Sequence, residues 1–314
     1  MIVVAGEALV DLVPTGGADG ALVPMLGGGP FNVAITVGRL GVPVAFVSRL
    51  SDDSFGAALL ARLRDSHVDV GQVQRGREPT TLAVVGMGAG GAADYTFYVE
   101  GTADRLVADP GPLPSPVAAL SLGTLSLVLE PGATVYETML RRESARGLLT
   151  VLDPNIRPAM ITDGDAYRGR FMSWLPDVGL LKMSVEDARW LSGDVPDAEL
   201  LDQVRRWQRA GPAAVVLTKG DAGIMVLTGG GDIVEVPAAR VEVVDTIGAG
   251  DTVQGALLVW LYRRSGLSKA AVARLGADDW HAALTFAGAA AGITVSRAGA
   301  EPPYAAELVH GPRW

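Results

Sequence analysis

Short, unbroken apolar blocks alternate along this chain with longer stretches of helix-compatible composition. The blocks at 2–5, 44–47, 125–129, 148–152 and 213–218 have the apolar, often β-branched character of strands buried on both faces. Between and after them, 33–40, 57–63, 132–146, 253–262 and 282–292 read as helices. Strands and helices taking turns in this way predict an α/β fold with a mainly parallel sheet and helices on both sides. Two segments break the rhythm. Residues 80–85 and 95–99 read as strands joined by the glycine-rich 86–91, and Tyr95-Thr96-Phe97-Tyr98-Val99 alternates as an antiparallel strand with one open face does. Set into a parallel pattern, such strands predict a small sheet over a cleft. Residues 224–227 and 233–236 read as a hairpin around Gly229, Gly230 and Gly231. No repeat or long linker interrupts the pattern, so residues 1–314 are read as one domain.

Polar residues collect where the buried blocks end, which is where ligands sit in open α/β sheets. Glu7 and Asp11 follow the first block. Asp11 there is either an acceptor for ligand hydroxyls or a solvated turn carboxylate. Gly27-Gly28-Gly29-Pro30-Phe31-Asn32 then leads into a helix. Pro30 suits the first turn, the glycines allow close approach of a ligand, and Asn32 can both donate to and accept from a hydroxyl. A flexible loop before an ordinary helix start fits the same residues. Asp153-Pro154-Asn155-Ile156-Arg157-Pro158 closes the 148–152 block, with Asn155 and Arg157 able to reach hydroxyl or phosphate groups, or simply shaping a turn. Lys182 could face a phosphate, and Ser184 is placed to cap the helix that follows. The turn from Thr218 to Gly223 has a hydroxyl and backbone suited to a nucleotide, and the Ala- and Gly-rich 282–292 helix lets a second helix or a flat adenine ring lie close.

The densest chemistry is Asp245-Thr246-Ile247-Gly248-Ala249-Gly250-Asp251-Thr252. A glycine turn entering a helix points backbone N–H groups outward, with the positive end of the helix dipole behind them. Anions bind there without any basic side chain. Asp251 at such a mouth repels a phosphate, so it is either a helix cap or a general base that takes a proton from an attacking hydroxyl.

Composition narrows the partners. A formal net charge of −9 argues against nucleic acid, whose binding rests on clustered Lys and Arg. The absence of cysteine removes disulfides, thiol catalysis and zinc–thiolate sites, and fits a cytoplasmic protein. The N-terminus lacks the pattern of a signal peptide, and the longest apolar stretch, 282–295, is too short and too rich in Ala and Gly to span a membrane.

Taken together, Gly28-Gly29-Pro30-Phe31-Asn32 and the complete Asp245–Asp251 motif resemble the two signatures of the ribokinase-like (PfkB) carbohydrate kinases. Glu7, Asp11 and the Asp153-Pro154-Asn155-Ile156-Arg157-Pro158 turn resemble the fructokinase and 2-keto-3-deoxygluconate kinase branches. The resemblance implies a three-layer α/β/α fold with a small β-sheet lid, its strands inserted within about 8–30 and 80–105. It implies ATP-dependent transfer of the γ-phosphoryl group to a sugar hydroxyl, with Asp251 as base and the N–H groups of Gly248, Ala249 and Gly250 as anion hole. Asp11, Gly28, Gly29, Asn32 and Arg157 would hold the sugar. Lys182, Ser184, Thr218, Gly220 and Gly223 would line the nucleotide side, with Ala287 and Ala290 beside adenine. Mg²⁺ would accompany the phosphates, Asp187 would serve it indirectly, and Asp245 would order the turn with a monovalent cation such as K⁺. The lid would be a homodimer contact. Fructose is the leading substrate, with 2-keto-3-deoxygluconate the alternative and ribose or adenosine behind it; a sugar-binding protein without catalysis is the reading from another class. Where family members often carry Asn-x-x-Glu, this chain has Ser184-Val185-Glu186-Asp187, and the lid strand continues Phe97-Tyr98-Val99-Glu100 without an arginine, which favours an uncharged sugar.

Overall fold

A computed structural model of the chain describes residues 1–15, 20–87, 93–193 and 195–308. The chain opens with β1 (Ile2–Ala5), β2 (Leu9–Pro14), β3 (Leu22–Gly27), α1 (Gly29–Arg39), β4 (Val44–Ser51), α2 (Ser54–Asp65), β5 (Val68–Asp69) and β6 (Val73–Gly76). It continues with β7 (Leu82–Met87), β8 (Ala93–Tyr98), β9 (Ala119–Gly123), α3 (Gly132–Ala145), β10 (Leu149–Asp153), α4 (Gly164–Trp174), β11 (Leu180–Ser184) and α5 (Val185–Ser192). The remainder is α6 (Leu200–Ala210), β12 (Ala214–Thr218), β13 (Ile224–Leu227), β14 (Ile233–Val236), α7 (Ala249–Arg263), α8 (Lys269–Ala273) and α9 (Ala277–Val295).

The large sheet runs β14-β13-β12-β11-β10-β9-β1-β4-β5, with β6 also on β4. It is parallel from β12 to β5, and β13 and β14 finish one edge antiparallel. Period-two alternation sends β1 into two cores. Ile2 and Val4 belong to the same core as Phe31, Phe46, Leu257, Trp280 and Phe286 on one face, while Val3 and Ala5 belong with Tyr136, Phe171, Trp174 and Trp207 on the other. Each large side chain so buried contributes roughly 1.5–3 kcal/mol. The fold is therefore the mainly parallel α/β arrangement that the sequence pattern predicts, with the small second sheet that the ribokinase-like resemblance implies. No helix among the described residues is long and apolar enough to cross a membrane.

A second sheet, ordered β3-β2-β7-β8, stands on the first. Tyr95 and Phe97 stack on its inner face with ring centroids 6.0 Å apart, while Tyr98, out of phase with them, is exposed on the other side. The glycine-rich 86–91 connection lies largely outside the described residues.

One strand is not where the apolar pattern puts it. Residues 125–129 do not form a buried strand; the strand is β9, just upstream, and residues 124–127 form a 3-10 turn. Ser121 and Gly123 break the apolar run of β9 and hide it, yet Ser121 fits the core because its Oγ accepts from Gln254 Nε2 at 2.7 Å.

The placement of α7 matters most for the site. It packs against α1 at Gly255, where an added Cβ would lie 2.6 Å from Thr36 Cβ. In an ordinary exposed helix, Gly to Ala stabilises by about 0.5–1 kcal/mol. Here we expect Gly255→Ala to destabilise by roughly 1–3 kcal/mol through overpacking of the α1–α7 seam. Urea denaturation checks it, and a gain in stability would show that the seam has slack.

Candidate active site

A cavity of about 360 Å³ opens between the carboxyl ends of the large sheet and the inner face of the small one. Asp11 enters it from β2, Gly28, Gly29 and Asn32 from the start of α1, and Arg157 from the turn after β10. Lys182 and Ser184 come from the end of β11, Thr218 from the end of β12, and Gly248, Gly250 and Asp251 from the entry to α7. Both halves of the chain thus meet in one cleft.

Gly248 is the N-cap of α7, with a left-handed φ of 76° and a hypothetical Cβ only 2.6 Å from that of Ala300. A side chain is excluded there twice over, by conformation and by space. The first bond of the helix runs from Thr252 N–H to the Gly248 carbonyl at 2.8 Å, which leaves the Gly250 and Asp251 N–H groups ahead of the ladder. Ala249 contributes less than its place in the motif implies: its N–H bonds the Thr246 carbonyl at 3.3 Å, and the residue does not line the cavity.

Asp251 is not the helix cap. The residue is 8% exposed, and its Oδ2 accepts a 2.8 Å bond from Asn32 Nδ2 across the α1–α7 seam. Burial pushes its pKa up, while the Asn32 bond and the charges of Lys182 and Arg157 hold it down; the net shift is upward. A carboxylate raised in this way is a stronger base than a solvated one. Asp11 is raised to about 6 by burial and by Asp251, against the pull of Arg157. Lys182 is 4% exposed and pairs with Asp153 at 2.6 Å. Burial disfavours its charge, but Asp153 more than restores it, and the Lys182 pKa ends above its usual value.

Several expected site residues have other employment. Both Asp187 oxygens are engaged, Oδ1 by Ile156 N–H at 2.7 Å and Oδ2 by Ser184 N–H at 3.0 Å. With Ser184 Oγ accepting from Asp187 N–H, they form a capping box on α5, so Asp187 is a weak candidate for metal. Asp245 likewise accepts from Ile247 N–H and Gly299 N–H, tying the signature turn to the segment after α9. Gly220 is exposed and Gly223 buried, and neither lines the cavity; a Cβ on Gly223 would lie 2.1 Å from the Val236 carbonyl, so its glycine serves the β13–β14 hairpin. Ala287 and Ala290 are completely buried in the core. Small side chains there bring α9 close to its neighbours and present no surface to an adenine ring.

The cavity also includes residues that the sequence pattern did not single out, notably Thr124 and Leu125. Thr124 has a φ of 62°, an outlier for a β-branched residue, and its Oγ1 accepts from Asn155 Nδ2 at 3.4 Å. It was lost with β9, whose end it marks. Glu7, buried at 2% exposure, accepts from Ser126 N–H through Oε2, and its Oε1 has no partner among the described residues.

A glycine turn entering a helix, a buried carboxylate beside it and a polar cleft of about 360 Å³ between two sheets are what a phosphotransferase site requires. Residues 1–306 match the pfkB family carbohydrate kinase model, and the chain belongs to that family. A fructokinase from Rhizobium leguminosarum bv. trifolii is 39% identical over 279 residues, covering 88% of this chain and 84% of that protein. A fructokinase from Xylella fastidiosa with bound ATP superposes with a TM-score of 0.88 at 25% identity, covering 98% and 97% of the two chains. A double-mutant fructokinase from Vibrio cholerae O395, bound to fructose, ADP and potassium ion, gives 0.84 at 25% identity over 98% and 96%.

Glu7 supplies a test of the electrostatics. Burial raises its pKa from 4.5 to about 7. The folded state therefore binds this proton more tightly than the unfolded chain, so the contribution is fully present below pH 4.5 and is lost as pH rises towards about 7. We expect the stability of the wild type, relative to Glu7→Gln, to fall by on the order of 3 kcal/mol over that interval. Paired urea titrations at the two ends measure it, and a constant difference contradicts the assigned burial.

Proposed function

We propose that the chain is an ATP-dependent fructokinase. The observation that carries the reading is Asp251, buried and aligned by Asn32, standing in the first turn behind the Gly248–Gly250 entry to α7. A fructose hydroxyl lies between Asp251 and the γ-phosphoryl group of ATP. Its oxygen attacks phosphorus as the bond to the β-phosphate oxygen breaks, and the proton passes to Asp251. Asn32 already occupies Oδ2, leaving Oδ1 to receive it. Gly250 N–H and its neighbours hold the charge on the transferred oxygens, each such donor being worth about 3 kcal/mol of barrier. Positioning and charge stabilisation carry most of the rate in phosphoryl transfer.

Asp11, Gly28, Gly29, Asn32 and Arg157 serve the sugar, and Lys182, Ser184 and Thr218 the phosphates. Tyr95 and Phe97 cover the cleft and exclude water. Fructose is favoured over a sugar acid because the cation on the sugar side of the cleft is already committed. Arg157 Nη1 is bonded to Asn155 Oδ1 at 2.8 Å and faces the acid of Asp11. Glu100, where an arginine would serve a carboxylate, pairs instead with Arg105.

Among the described residues no three acidic or imidazole groups are arranged to hold a metal. That suits Mg²⁺, which keeps several waters and binds mainly through substrate phosphates; the ion would offset phosphate charge in a chain that is itself acidic. Asp245 fits a turn-ordering role first, with a monovalent cation held through nearby carbonyls. We read the enzyme as cytoplasmic and as a homodimer through the small sheet, where Leu22, Val23 and Tyr98 are exposed.

The test is ADP release with fructose, 2-keto-3-deoxygluconate, ribose and adenosine as acceptors. Fructose should give the highest kcat/KM, and turnover confined to the sugar acid would move the chain to the alternative branch. Asp251→Asn should lower kcat about 10²–10⁴-fold, and full activity in that variant removes Asp251 as base. Sedimentation equilibrium of wild type and Leu22→Glu checks the dimer: a dimer that the variant dissociates is expected, and a monomeric wild type refutes it.

A further inference from the structure

Lys182 and Asp153 lie behind the catalytic turn. Their 2.6 Å contact is buried on both sides, at 4% exposure for each residue. A side chain on Gly250 would begin 2.8 Å from Lys182 Nζ, so the ammonium sits directly against the turn that carries Asp251. Asp153 uses only Oδ2 in the pair. Its Oδ1 is buried without a partner among the described residues, as is Gln254 Oε1. Both residues line a cavity of about 10 Å³ that Asp251 also lines, at the lower limit of the volume that holds one water. Asp153 and Asp251 thus share this small cavity, while Lys182 and Asp251 share the main cleft.

We propose that Lys182 and Asp153 are positioning residues for the base: Lys182 is the buried cation that keeps Asp251 a carboxylate, and Asp153 holds Lys182 in place. The inference rests on Asp251 being the base and adds a role that phosphate binding alone does not give Lys182. A carboxylate sealed from water tends to keep its proton, and a base that starts protonated cannot accept another. The charged groups facing Asp251 are Lys182 from β11, Arg157 and Asp153 from β10 and its turn, and Asp11 from β2, with Asn32 of α1 as its hydrogen-bond donor. Asp187 of α5 acts on the pair itself. Of the two cations, Arg157 is shared with Asp11. Lys182 is the one lodged against the turn. Burial raises Asp153 to about 6, so at neutral pH the pair is ionised on both sides.

The experiment is the pH dependence of kcat/KM for fructose in the full chain, whose acid limb reports ionisation of the base in the free enzyme. Lys182→Met removes the cation, so the limb should move up by about 1 pH unit. Asp153→Asn removes the opposing charge, so the limb should move down. The double variant, neutral as the native pair is, should return towards the wild-type position. The limb does not depend on how much of a sample is folded, so a variant with a low yield still reports. Limbs that superimpose, or that move the same way in both single variants, overturn the proposal. Asp251→Asn separates the two levels: if it is inactive while the limbs stay put, only the role of the pair fails.

Discussion

Two helices more than 200 residues apart must approach closely enough for Asn32 to donate to Asp251, and most of the site follows from that approach. The 2.8 Å bond orients the carboxylate, offsets part of the cost of burying it and occupies one of its oxygens. Gly255 against Thr36 provides the room. Asp245 and Gly299 secure the other side of the turn, and the segment beyond is held by Arg39, whose guanidinium bonds Glu301 and the Pro302 carbonyl. Arg62 pairs with the same glutamate. The Asp245–Asp251 turn is therefore set between a helix seam and a pinned strap.

Motifs confined to a few consecutive residues were legible in the sequence. The Asp245–Asp251 turn, the Gly28–Asn32 helix start and the alternating lid strand each bring a local backbone demand, and local demands leave local traces. The β12 block was equally plain, because an uninterrupted apolar run of five or so residues packs well only where both faces of a sheet are covered. What failed was inference from composition where partners decide the outcome. β9 was hidden because Ser121 is satisfied by Gln254, 133 residues away, and no window on the chain contains both. Thr124 disappeared with it.

Small residues were read too generously for the same reason. Ala287 and Ala290 could have faced a ring or a helix, and only the packing of α9 says that they face the core. A Cβ on Gly223 would clash with the Val236 carbonyl, a demand of the hairpin that the sequence does not display. Asp187 and Asp245 look like metal ligands when only their charge is considered. Counted as acceptors, they are already engaged by backbone N–H groups. A carboxylate in a sequence is a charge; in a fold it is first a set of lone pairs, and the fold uses them before any ligand arrives.

The division of the cleft between two sheets has one more consequence. Asp11 belongs to the small sheet, while Asp251 stands on α7 at the edge of the large one, and the charge of Asp251 disfavours ionisation of Asp11. In the absence of anything between them, that repulsion acts as a weak spring across the junction of the sheets. Under the fructokinase reading proposed above, a polyhydroxylated guest would supply donors to both sides at once and turn the spring into a clasp. On that reading the repulsion between the two acids would be relieved only by a guest that donates to both sheets, which water does poorly.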